Sequence, residues 1–598
     1  MSYRYSLLPT HSNSPDSPRK STKYPPNLIT TVFLSRRYAR FSLLALFSLA
    51  CIAFVSPHDA RPWLVQPKLR TAQAPSPTMT YPQYPIPRDT PPENDTRPPL
   101  YEEYWAYEDR FPQHSDSLPF SESDRKFLFF ADHVWGLGWG NAMQEMILNA
   151  QLAFESDRTF VFDDYTWERG GSYSDYNGKQ IPSRVPLSAL LAGPIAGHPF
   201  PNTTIAEMHP RAVSYRYFKQ VCPDPYIINP HDVAKTIPKE PTAVQVLSAW
   251  AEKLRSMDDR CVEIQKDTVQ VFDVWLLGST RLHDIVPILT SSPLMKDFTW
   301  SPLVHYAFQR NKHHFTKRKS SLISVLFPYF SSSTYSSRDS TKSPEDYNLT
   351  PTLPTSQTEP LPLLALHLRR GDFIEHCDKL SEWGSTYTGL NTQPSLPDRF
   401  FAENATLRDS MSVEEKKEAY REKCLVDINK VRRRVIRAVK EWRAERLRVE
   451  RANRGAGIFS WIWMRSEEAR IRKMLRKVYI MTNGDREFLN ELKTALLDDA
   501  NRSLLHSRSK FKSEDSHAQS VSEGSDEYDY DFAWTWDEVA TSRDLEWGWQ
   551  TKYVAQAMDM YVGQRAEVFV GNGFSSLTAN VVLLRTVAGV ESWRTRFW

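Results

Sequence analysis

The sequence predicts an α/β fold with two Rossmann-type domains, and three observations carry this prediction. The chain has 598 residues, which is too many for one hydrophobic core. Between residues 126 and 162, an apolar strand, a glycine-rich turn, a helical pattern and a second strand follow one another. A further buried strand, LPLLALHLR from Leu361 to Arg369, opens a second series of strands and helices.

The first series begins with the strand KFLFFA at Lys126 and continues through the turn VWGLGWGN. A helix is predicted next, because apolar residues recur at helical spacing, and TFVF from Thr159 to Phe162 gives the following strand. The residues that define the helix are Met143, Met146, Ile147, Ala150 and Phe154.

The second series continues after a charged helix that we predict from Val413 to Glu450, with its lysines and arginines on a solvated face. Val478 to Met481 is predicted as a strand followed by a helix to about Leu497. The remaining predicted elements are a helix near Gln550 to Val562, the strand VFV at 568–570 and a last helix after Ser575.

The domain organisation follows from composition. We predict a cytosolic tail at 1–40, a transmembrane signal anchor at 41–56 and a Pro-rich stem at 57–120. The N-terminal α/β domain spans 121–316, a Ser-rich linker or insertion spans 317–360, and the C-terminal α/β domain spans 361–598. The C-terminal domain carries insertions at 405–475 and 500–530, and the second of these is acidic and predicted to be disordered.

The predicted anchor is the uncharged apolar run from Phe41 to Ser56, which Arg36, Arg37 and Arg40 precede. Positive charge on the N-terminal flank holds that end in the cytosol, so a single-pass type II topology in the Golgi or endoplasmic reticulum membrane is expected. The alternative is a cleaved signal peptide. Asn-x-Ser/Thr sequons on the expected lumenal side are Asn94, Asn202, Asn348, Asn404 and Asn501.

The overall charge and the cysteines exclude some classes of function. A formal net charge of +3 gives no reason to expect a nucleic-acid partner. Cys51 lies in the apolar run, and the four remaining cysteines form no Cys-x-x-Cys pair, which argues against a zinc site. In an oxidising compartment Cys222, Cys261, Cys377 and Cys424 can form two disulfides, and the sequence leaves all three pairings open.

The first motif with chemical meaning is Gly136-Leu-Gly138-Trp-Gly140-Asn141, at the entrance to a helix. Glycines allow the backbone amides to approach a sugar or phosphate closely. The spacing is not that of a dinucleotide-binding loop, and no Gly-Lys-Ser/Thr follows, which weakens NAD and P-loop interpretations. The alternative is a tight turn whose glycines serve packing alone.

The second motif, His367-Leu-Arg369-Arg370-Gly371-Asp372, directly follows a predicted buried strand. Ligands bind open α/β sheets at the carboxyl ends of their strands, and the planar fork of an arginine suits a pyrophosphate. Because side chains alternate along a strand, His367 and Arg369 share one face. The alternative is a surface basic cluster paired with Asp372.

The third motif is the segment from Val568 to Arg585, in which a strand runs into Gly571-Asn572-Gly573 before Ser575 and Ser576 start a helix. Hydroxyls and amides at a helix N-terminus form a phosphate cradle. Simple N-capping by a serine is the alternative, and it is compatible with phosphate binding.

Together these motifs resemble the GDP-fucose protein O-fucosyltransferase family and its α1,2/α1,6-fucosyltransferase relatives, over roughly residues 126–598. The segment VAQAMDMYV, which contains Asp559, is similar to a helix on which that family places an acidic residue to read guanine. The resemblance implies a GT-B-like fold, with two Rossmann-type domains facing a donor cleft, and inverting transfer without a metal. Leu577 stands where the family usually has an aromatic that packs on the base.

The resemblance also implies roles for individual residues. Arg369 would hold the β-phosphate and stabilise the leaving GDP, His367 and Asp559 would contact the nucleoside, and Asn141 would lie near the reacting sugar. Ser575, Ser576 and Thr578 would bind the phosphates. The expected donor-binding set is Gly138, Gly140, His367, Asp372, Asp559, Ser575, Ser576, Leu577 and Thr578.

Proton removal from the acceptor needs a base unless the departing phosphate takes the proton. Glu145 lies one helical turn after Asn141 and so on the same face, which makes it the candidate base. The candidate catalytic residues are therefore Arg369, Asn141 and Glu145. Asp163 and Asp164 suggest a metal pair, but at a strand end we interpret them as a helix cap or turn, and no metal or other cofactor is expected.

The predicted function is transfer of L-fucose from GDP-β-L-fucose to a Ser or Thr hydroxyl of a secretory-pathway protein. One alternative is transfer to a glycan hydroxyl, and another is a catalytically inactive sugar-nucleotide- or carbohydrate-binding protein. The expected partners are GDP-fucose, a protein or glycan acceptor and the membrane that holds the anchor. The sequence does not identify the acceptor, the oligomeric state or the compartment within the secretory pathway.

Overall fold

The computed structural model describes one compact folded unit that begins at Tyr81. The residues it describes are 81–93, 95–114, 125–202, 204–205, 209–316, 344–347, 349–371, 373–401, 411–454, 470–471, 474–514 and 532–598. The predicted tail, membrane anchor and first part of the stem lie outside these residues, as do Asp372 and the sequons at Asn94, Asn348 and Asn404. Within the described residues no helix combines the length and apolar character needed to cross a membrane.

The N-terminal half, residues 125–316, is built on a five-stranded parallel sheet. Its central strand, Phe127–Phe130, is buried on both faces, as a strand of a covered parallel sheet must be. In spatial order the strands are Val213–Ser214, Thr159–Phe162, Phe127–Phe130, Cys261–Ile264 and Tyr226–Ile228.

The C-terminal half, residues 361–598, repeats this architecture with a second five-stranded parallel sheet. The predicted strand from Leu361 is confirmed as Leu361–Leu368 and lies at the centre of the sheet. In spatial order the strands are Glu538–Thr541, Lys477–Thr482, Leu361–Leu368, Ala566–Gly571 and Thr595–Phe597.

Helices cover both sheets, and the N-terminal half also contains short pairs of antiparallel strands. The α-helices are Glu102–Asp109, Trp139–Glu155, Leu187–Leu190, Tyr215–Val221, Pro230–Ala234, Ala243–Arg255, Val274–Leu277, Val286–Ser291, Pro293–Lys296, Pro302–Arg310, Lys312–Phe315, Phe373–Glu382, Val413–Cys424, Ile428–Arg454, Arg486–Glu514, Ala555–Arg565 and Ser576–Val587. The 3₁₀ turns are Pro112–His114, Pro194–Ala196, Thr280–Ile285, Pro344–Asp346, Thr355–Gln357, Gly389–Thr392, Thr551–Val554 and Ser592–Arg594. The short pairs are Tyr165–Thr166 with Arg184–Val185, Tyr173–Tyr176 with Lys179–Pro182, and Leu191–Ala192 with Thr299–Trp300.

The two halves share a hydrophobic core. One cluster of buried residues contains Leu128 of the N-terminal sheet together with Phe569 of the C-terminal sheet. The helices Trp139–Glu155 and Ser576–Val587 pack on each other inside this cluster. The two predicted α/β units are therefore joined along a continuous apolar interface, and a functional site between them is held on packed elements.

The folded unit includes residues that the sequence assigned to the stem. Tyr101, Tyr104 and Tyr107 are buried, and the helix Glu102–Asp109 lies among them. The stem prediction at 57–120 is therefore wrong for the described residues 81–114. Tyrosines three residues apart lie on one face of a helix. The Pro-rich composition of the surrounding sequence concealed this helical pattern, because it predicted an extended stem.

Two predicted helices have different limits in the structure. The charged helix expected from Val413 to Glu450 is two helices, Val413–Cys424 and Ile428–Arg454. The break follows Cys424, whose sulfur is bonded to Cys377. The helix expected to end near Leu497 continues as Arg486–Glu514, so the start of the predicted disordered insertion at 500–530 is helical.

The structure selects one of the three disulfide pairings. Cys222 bonds to Cys261 in the N-terminal half, and Cys377 bonds to Cys424 in the C-terminal half. The sequence separations of 39 and 47 residues close loops of moderate length. Each bond stabilises the fold by roughly 4 kcal/mol on the chain-entropy model, because it restricts the unfolded chain.

Candidate functional site

The motif residues converge on a cleft at the carboxyl end of the C-terminal sheet. The cleft is bounded by the end of the strand Leu361–Leu368, the start of the helix Ser576–Val587 and the start of the helix Trp139–Glu155. Both halves of the chain thus contribute to it. Its lining residues are Gly138, Gly140, His367, Leu368, Arg369, Met481, Thr482, Asn483, Gln556, Asp559, Ser575, Ser576 and Leu577.

Arg369 follows the last residue of the central strand and lines the cleft, whereas Arg370 points elsewhere. The Arg369 guanidinium lies over the ring of Phe373, with its carbon 4.9 Å from the ring centroid. The Arg370 guanidinium lies 3.7 Å from the ring centroid of Phe488. The strand ends at Leu368, one residue before Arg369, and the two arginines contact different aromatic rings.

His367 lines the cleft beside Arg369 but is 3% exposed, so its ring is largely enclosed. Its Nδ1 atom shares a hydrogen bond of 2.8 Å with the hydroxyl of Thr578. Burial, reinforced by the neighbouring Arg369 charge, lowers the pKa of His367 to about 3. The imidazole is therefore neutral at physiological pH. Thr578 is fully buried beneath the cleft, where it orients His367.

The helix Ser576–Val587 presents its N-terminal end to the cleft. Ser575 occupies the N-cap position, and its side chain makes no capping hydrogen bond. The first backbone N–H groups of a helix have no partner within the helix, and the helix dipole places positive potential there. This end of the helix therefore attracts an anion.

Gly140 is required for the close approach of the two cleft helices. A Cβ atom at this position would lie 2.7 Å from the Ser576 hydroxyl oxygen and 2.8 Å from the Leu577 backbone nitrogen. The sequence left open whether the glycine motif serves ligand approach or packing. Gly140 fits both, because it lines the cleft and also lets the two helices pack closely.

Asp559 reaches the cleft from the helix Ala555–Arg565 and is held by two neighbours. The Tyr479 hydroxyl donates to its carboxylate at 2.5 Å, and the Ser542 hydroxyl donates at 3.2 Å. Burial raises the pKa of Asp559 to about 7. Sequence reasoning missed Tyr479, which looks like a core residue of a strand, and Ser542, which directly follows the strand Glu538–Thr541.

Met481, Thr482 and Asn483 were also missed, and a sequence signal for them existed. They stand at the carboxyl end of Lys477–Thr482, which pairs in parallel with Leu361–Leu368. Because parallel strands end at the same edge of a sheet, the residues beside Arg369 follow from the strand order. Asn483 accepts the Arg370 backbone N–H at 2.8 Å and so fixes the turn after the central strand.

Two candidate catalytic residues do not line the described cleft. Glu145 is 3% exposed, and its carboxylate accepts the Val134 backbone N–H at 2.5 Å. Burial raises the pKa of Glu145 to about 7. Asn141 is half-buried and also stands outside the cleft lining that the structure describes. The two are four residues apart on one helix, as expected, but neither is among the side chains that line the cleft with Arg369.

Asp163 and Asp164 have separate partners. Asp163 lies 3.2 Å from His133 Nε2 and accepts the Asp164 backbone N–H at 2.8 Å. The two residues link the strands Thr159–Phe162 and Tyr165–Thr166 and form neither the predicted helix cap nor a turn. Asp164 accepts the indole N–H of Trp105 at 3.0 Å. Within the described residues, no group of three His, Cys, Asp or Glu side chains is arranged to hold a metal ion.

Comparison with known proteins gave similarity to solved structures alone. No protein-family model matches the chain, and no curated protein matches its sequence. A crystal structure of POFUT1 in complex with GDP-fucose is 12% identical and overlaps 79% of this chain and 98% of its own, with a TM-score of 0.33. A POFUT1 complex with GDP is also 12% identical over 79% of this chain and 98% of its own, with a TM-score of 0.32. The POFUT1 apo form is 12% identical over 81% of this chain and 99% of its own, with a TM-score of 0.33.

Proposed function

We propose that the chain is a GDP-fucose-dependent fucosyltransferase of GT-B-like architecture, which transfers L-fucose with inversion to a Ser or Thr hydroxyl of a secretory-pathway protein. The observation that carries the proposal is the convergence of Arg369, Asp559 and the N-terminus of the helix Ser576–Val587 on one cleft. The motif resemblance assigns these same groups to the β-phosphate, the guanine and the phosphates. Their meeting supports a common ligand.

The cleft supplies positive potential from two independent sources. The guanidinium of Arg369 is a fixed charge, and the helix that starts at Ser576 contributes its unpaired amides and dipole. A diphosphate placed between them gains negative charge as the glycosidic bond breaks, and preorganised donors stabilise that change. In this proposal the protein itself neutralises the leaving group, with no metal ion.

Asp559 suits the recognition of guanine. Guanine offers N–H donors on its Watson–Crick edge, and an ionised carboxylate accepts several hydrogen bonds. Tyr479 and Ser542 hold the Asp559 carboxylate in place and leave it further acceptor capacity. Donors from a bound guanine would favour the ionised form of Asp559, whose pKa burial raises to about 7.

The acidic side chains in the described part of the cleft favour a different function class as the alternative. Among the described residues that line the cleft, Asp559 is the one acidic side chain, and it is the group proposed to bind guanine. Transfer would then need the leaving phosphate to take the acceptor proton. A protein that binds a sugar nucleotide without turnover needs no such step.

The cleft must widen for either function. Its volume of about 30 Å³ is room for a water molecule, whereas ligand pockets usually measure roughly 300–1,000 Å³. Gly140 closes the cleft over Ser576 from the N-terminal side. We expect donor entry to move the helix Trp139–Glu155 relative to the helix Ser576–Val587.

A Golgi or endoplasmic reticulum location with a type II membrane anchor completes the proposal. Two disulfides support an oxidising compartment, because such bonds are rare in the cytosol. The described sequons Asn202 and Asn501 are exposed, as glycosylation would require.

A donor screen tests the proposal. The purified chain is incubated with GDP-fucose, GDP-mannose and a set of UDP-sugars, and both binding and nucleoside diphosphate release are measured. We expect binding of GDP-fucose and release of GDP with a suitable acceptor. Binding of GDP-fucose without release in the presence of protein and glycan acceptors supports the non-catalytic alternative, and a preference for a UDP-sugar contradicts both.

A further inference from the structure

A larger cavity lies at the carboxyl edge of the N-terminal sheet. Its volume is about 580 Å³, which is within the range of small-molecule sites. The ends of three neighbouring strands contribute to its wall: Phe129 near the end of Phe127–Phe130, Phe162 at the end of Thr159–Phe162, and Glu263 in Cys261–Ile264. The cavity thus lies where open α/β sheets bind ligands.

This cavity is distinct from the cleft described above. Across the described residues, the two share no lining side chain. A small intervening cavity is lined by His133 and Asp163, which also line the large cavity, and by Ala142 and Glu145. Ala142 and Glu145 belong to the helix Trp139–Glu155, whose first turn reaches the cleft. The helix Trp139–Glu155 thus borders the cleft and the small cavity, whereas none of its residues is among those that line the large cavity.

Acidic groups occupy the interior of the cavity. Glu108 is 1% exposed, accepts the Ser188 backbone N–H at 3.0 Å and receives Arg216 at 3.2 Å. Asp163 and Asp164 are half-buried beside it. With Glu263, four acidic side chains line the cavity. A buried carboxylate costs free energy, so four around one void are unusual for a wall that serves packing alone.

Cations and aromatic rings complete the lining. Arg184, Lys219 and Lys266 are exposed at the cavity, and the half-buried Arg169 and Arg216 bring positive charge to its interior beside the carboxylates. Trp105 and Tyr215 are half-buried and line the same void. Both rings are held in place, because the Trp105 indole N–H donates to Asp164 and Tyr215 stacks on Phe129 with 4.3 Å between ring centroids.

We infer that this cavity binds a neutral saccharide. Sugar hydroxyls donate to carboxylates and accept from guanidinium and ammonium groups, so a lining with both charges satisfies them in both directions. Trp105 and Tyr215 add apolar surface to the lining, with Arg216 over the Trp105 ring and Lys219 over the Tyr215 ring. The positive and negative side chains of the lining nearly balance in number, five against four, which suits an uncharged ligand.

A saccharide site here deepens the proposed function. The saccharide site is inferred from the cavity lining alone, whereas its use as an acceptor site rests on the proposed fucosyl transfer. We then expect the protein that receives the fucose to carry a glycan, and this cavity to bind that glycan.

The experiment is a screen of the purified full-length chain against an array of neutral and acidic glycans, without nucleotide, followed by titration of the glycan that binds best. We expect neutral glycans to bind. Asp164→Asn keeps the shape and an oxygen that accepts from Trp105 but loses the charge, and it should weaken binding about tenfold to a hundredfold. Asp232→Asn, on an exposed helix away from the cavity, is the matched control and should bind like the wild type.

A second variant guards against a folding effect. Arg184→Ala removes an exposed side chain from the same cavity and should also weaken binding, with an unchanged melting temperature. Absence of binding across the array, binding of acidic glycans alone, or wild-type affinity in both cavity variants would each overturn the inference. GDP binding is measured in parallel on the same samples. GDP binding without glycan binding defeats the saccharide site alone, and glycan binding without GDP binding defeats the proposed transferase alone.

Discussion

The side-chain amide of Asn580 donates a hydrogen bond of 2.8 Å to the backbone carbonyl of Gly140. This bond joins the helix Ser576–Val587 to the helix Trp139–Glu155, and Asn580 is fully buried where it does so. The two halves of the chain are therefore locked together beside the cleft. A separation of these two helices would stretch or break this contact, which makes Gly140 a sensitive position.

Gly140→Ala should destabilise the fold and weaken GDP binding. The added methyl group would meet the Ser576 hydroxyl and the Leu577 backbone nitrogen at less than 3.0 Å, and the backbone has little freedom to retreat. Overpacking of this kind costs about 1–3 kcal/mol. Urea unfolding gives the loss of stability, and titration calorimetry gives the GDP affinity.

Gly170→Ala is the matched control, because nothing lies within 4 Å of the position that its Cβ would take. It should leave both stability and GDP affinity near the wild-type values. Equal behaviour of the two variants would show that the helices do not pack as closely as described.

The sequence predicted the centre of each sheet better than its margins. Leu361–Leu368 is buried almost throughout, and its continuous apolar run identified it. Tyr226–Ile228 is an edge strand with two exposed residues, and Val213–Ser214 is two residues long, so neither carries an apolar pattern. An edge strand forms because it pairs with a neighbouring strand, and the local sequence pattern does not reveal this pairing.

The same division holds for the candidate site. Arg369, Asp559 and Ser575 were predicted because each belongs to a recognisable motif. Arg369 follows a buried strand, Ser575 precedes a helix and Asp559 lies within one. The support of Asp559 by Tyr479 was not predictable, because a tyrosine in a buried strand looks like core. The orientation of Glu145 was not predictable either, since helical spacing gives the residues that share a face but not what that face packs against.

Glu145 should make the fold less stable as the pH rises. Burial raises its pKa to about 7 in the folded chain, above the value of 4.5 expected when it is exposed. Its stabilising contribution is therefore complete below about pH 4.5 and is lost as the pH rises through about 7. This difference between the two pKa values of Glu145 corresponds to a change of roughly 3 kcal/mol in the free energy of unfolding.

Glu145→Gln retains an oxygen that accepts the Val134 N–H but does not titrate in this range. The variant should gain stability relative to the wild type between pH 5 and pH 8, as measured by denaturant unfolding at each pH. Glu252→Gln, on an exposed helical position, is the control and should show no such trend. Because Glu145 lies outside the described cleft lining, we also expect Glu145→Gln to retain turnover, and a loss of about a hundredfold or more would restore it as the base.

Nucleotide binding should not depend on divalent ions. Arg369 and the helix N-terminus at Ser576 together supply the positive potential at the cleft. We expect GDP affinity and GDP-fucose turnover to change by less than about twofold when EDTA replaces Mg²⁺ or Mn²⁺. Strict dependence of either quantity on a divalent ion would place the chain in a different class of transferase.

Arg369 provides the sharpest test of the mechanism. As GDP departs, its β-phosphate gains negative charge, and a guanidinium already in place stabilises the transition state more than the ground state. Arg369→Ala should therefore lower turnover by about a hundredfold to a thousandfold. Arg369→Lys keeps the charge but loses the planar fork and the stacking on Phe373, so it should also be badly impaired. Arg370→Ala is the matched control, because Arg370 lies over Phe488 and outside the cleft lining that the structure describes. This substitution should lower turnover only mildly. The measurement is initial-rate GDP release, with circular dichroism and melting temperature to confirm folding. A folded Arg369→Ala variant that turns over like the wild type would refute the assignment of this motif to the leaving group.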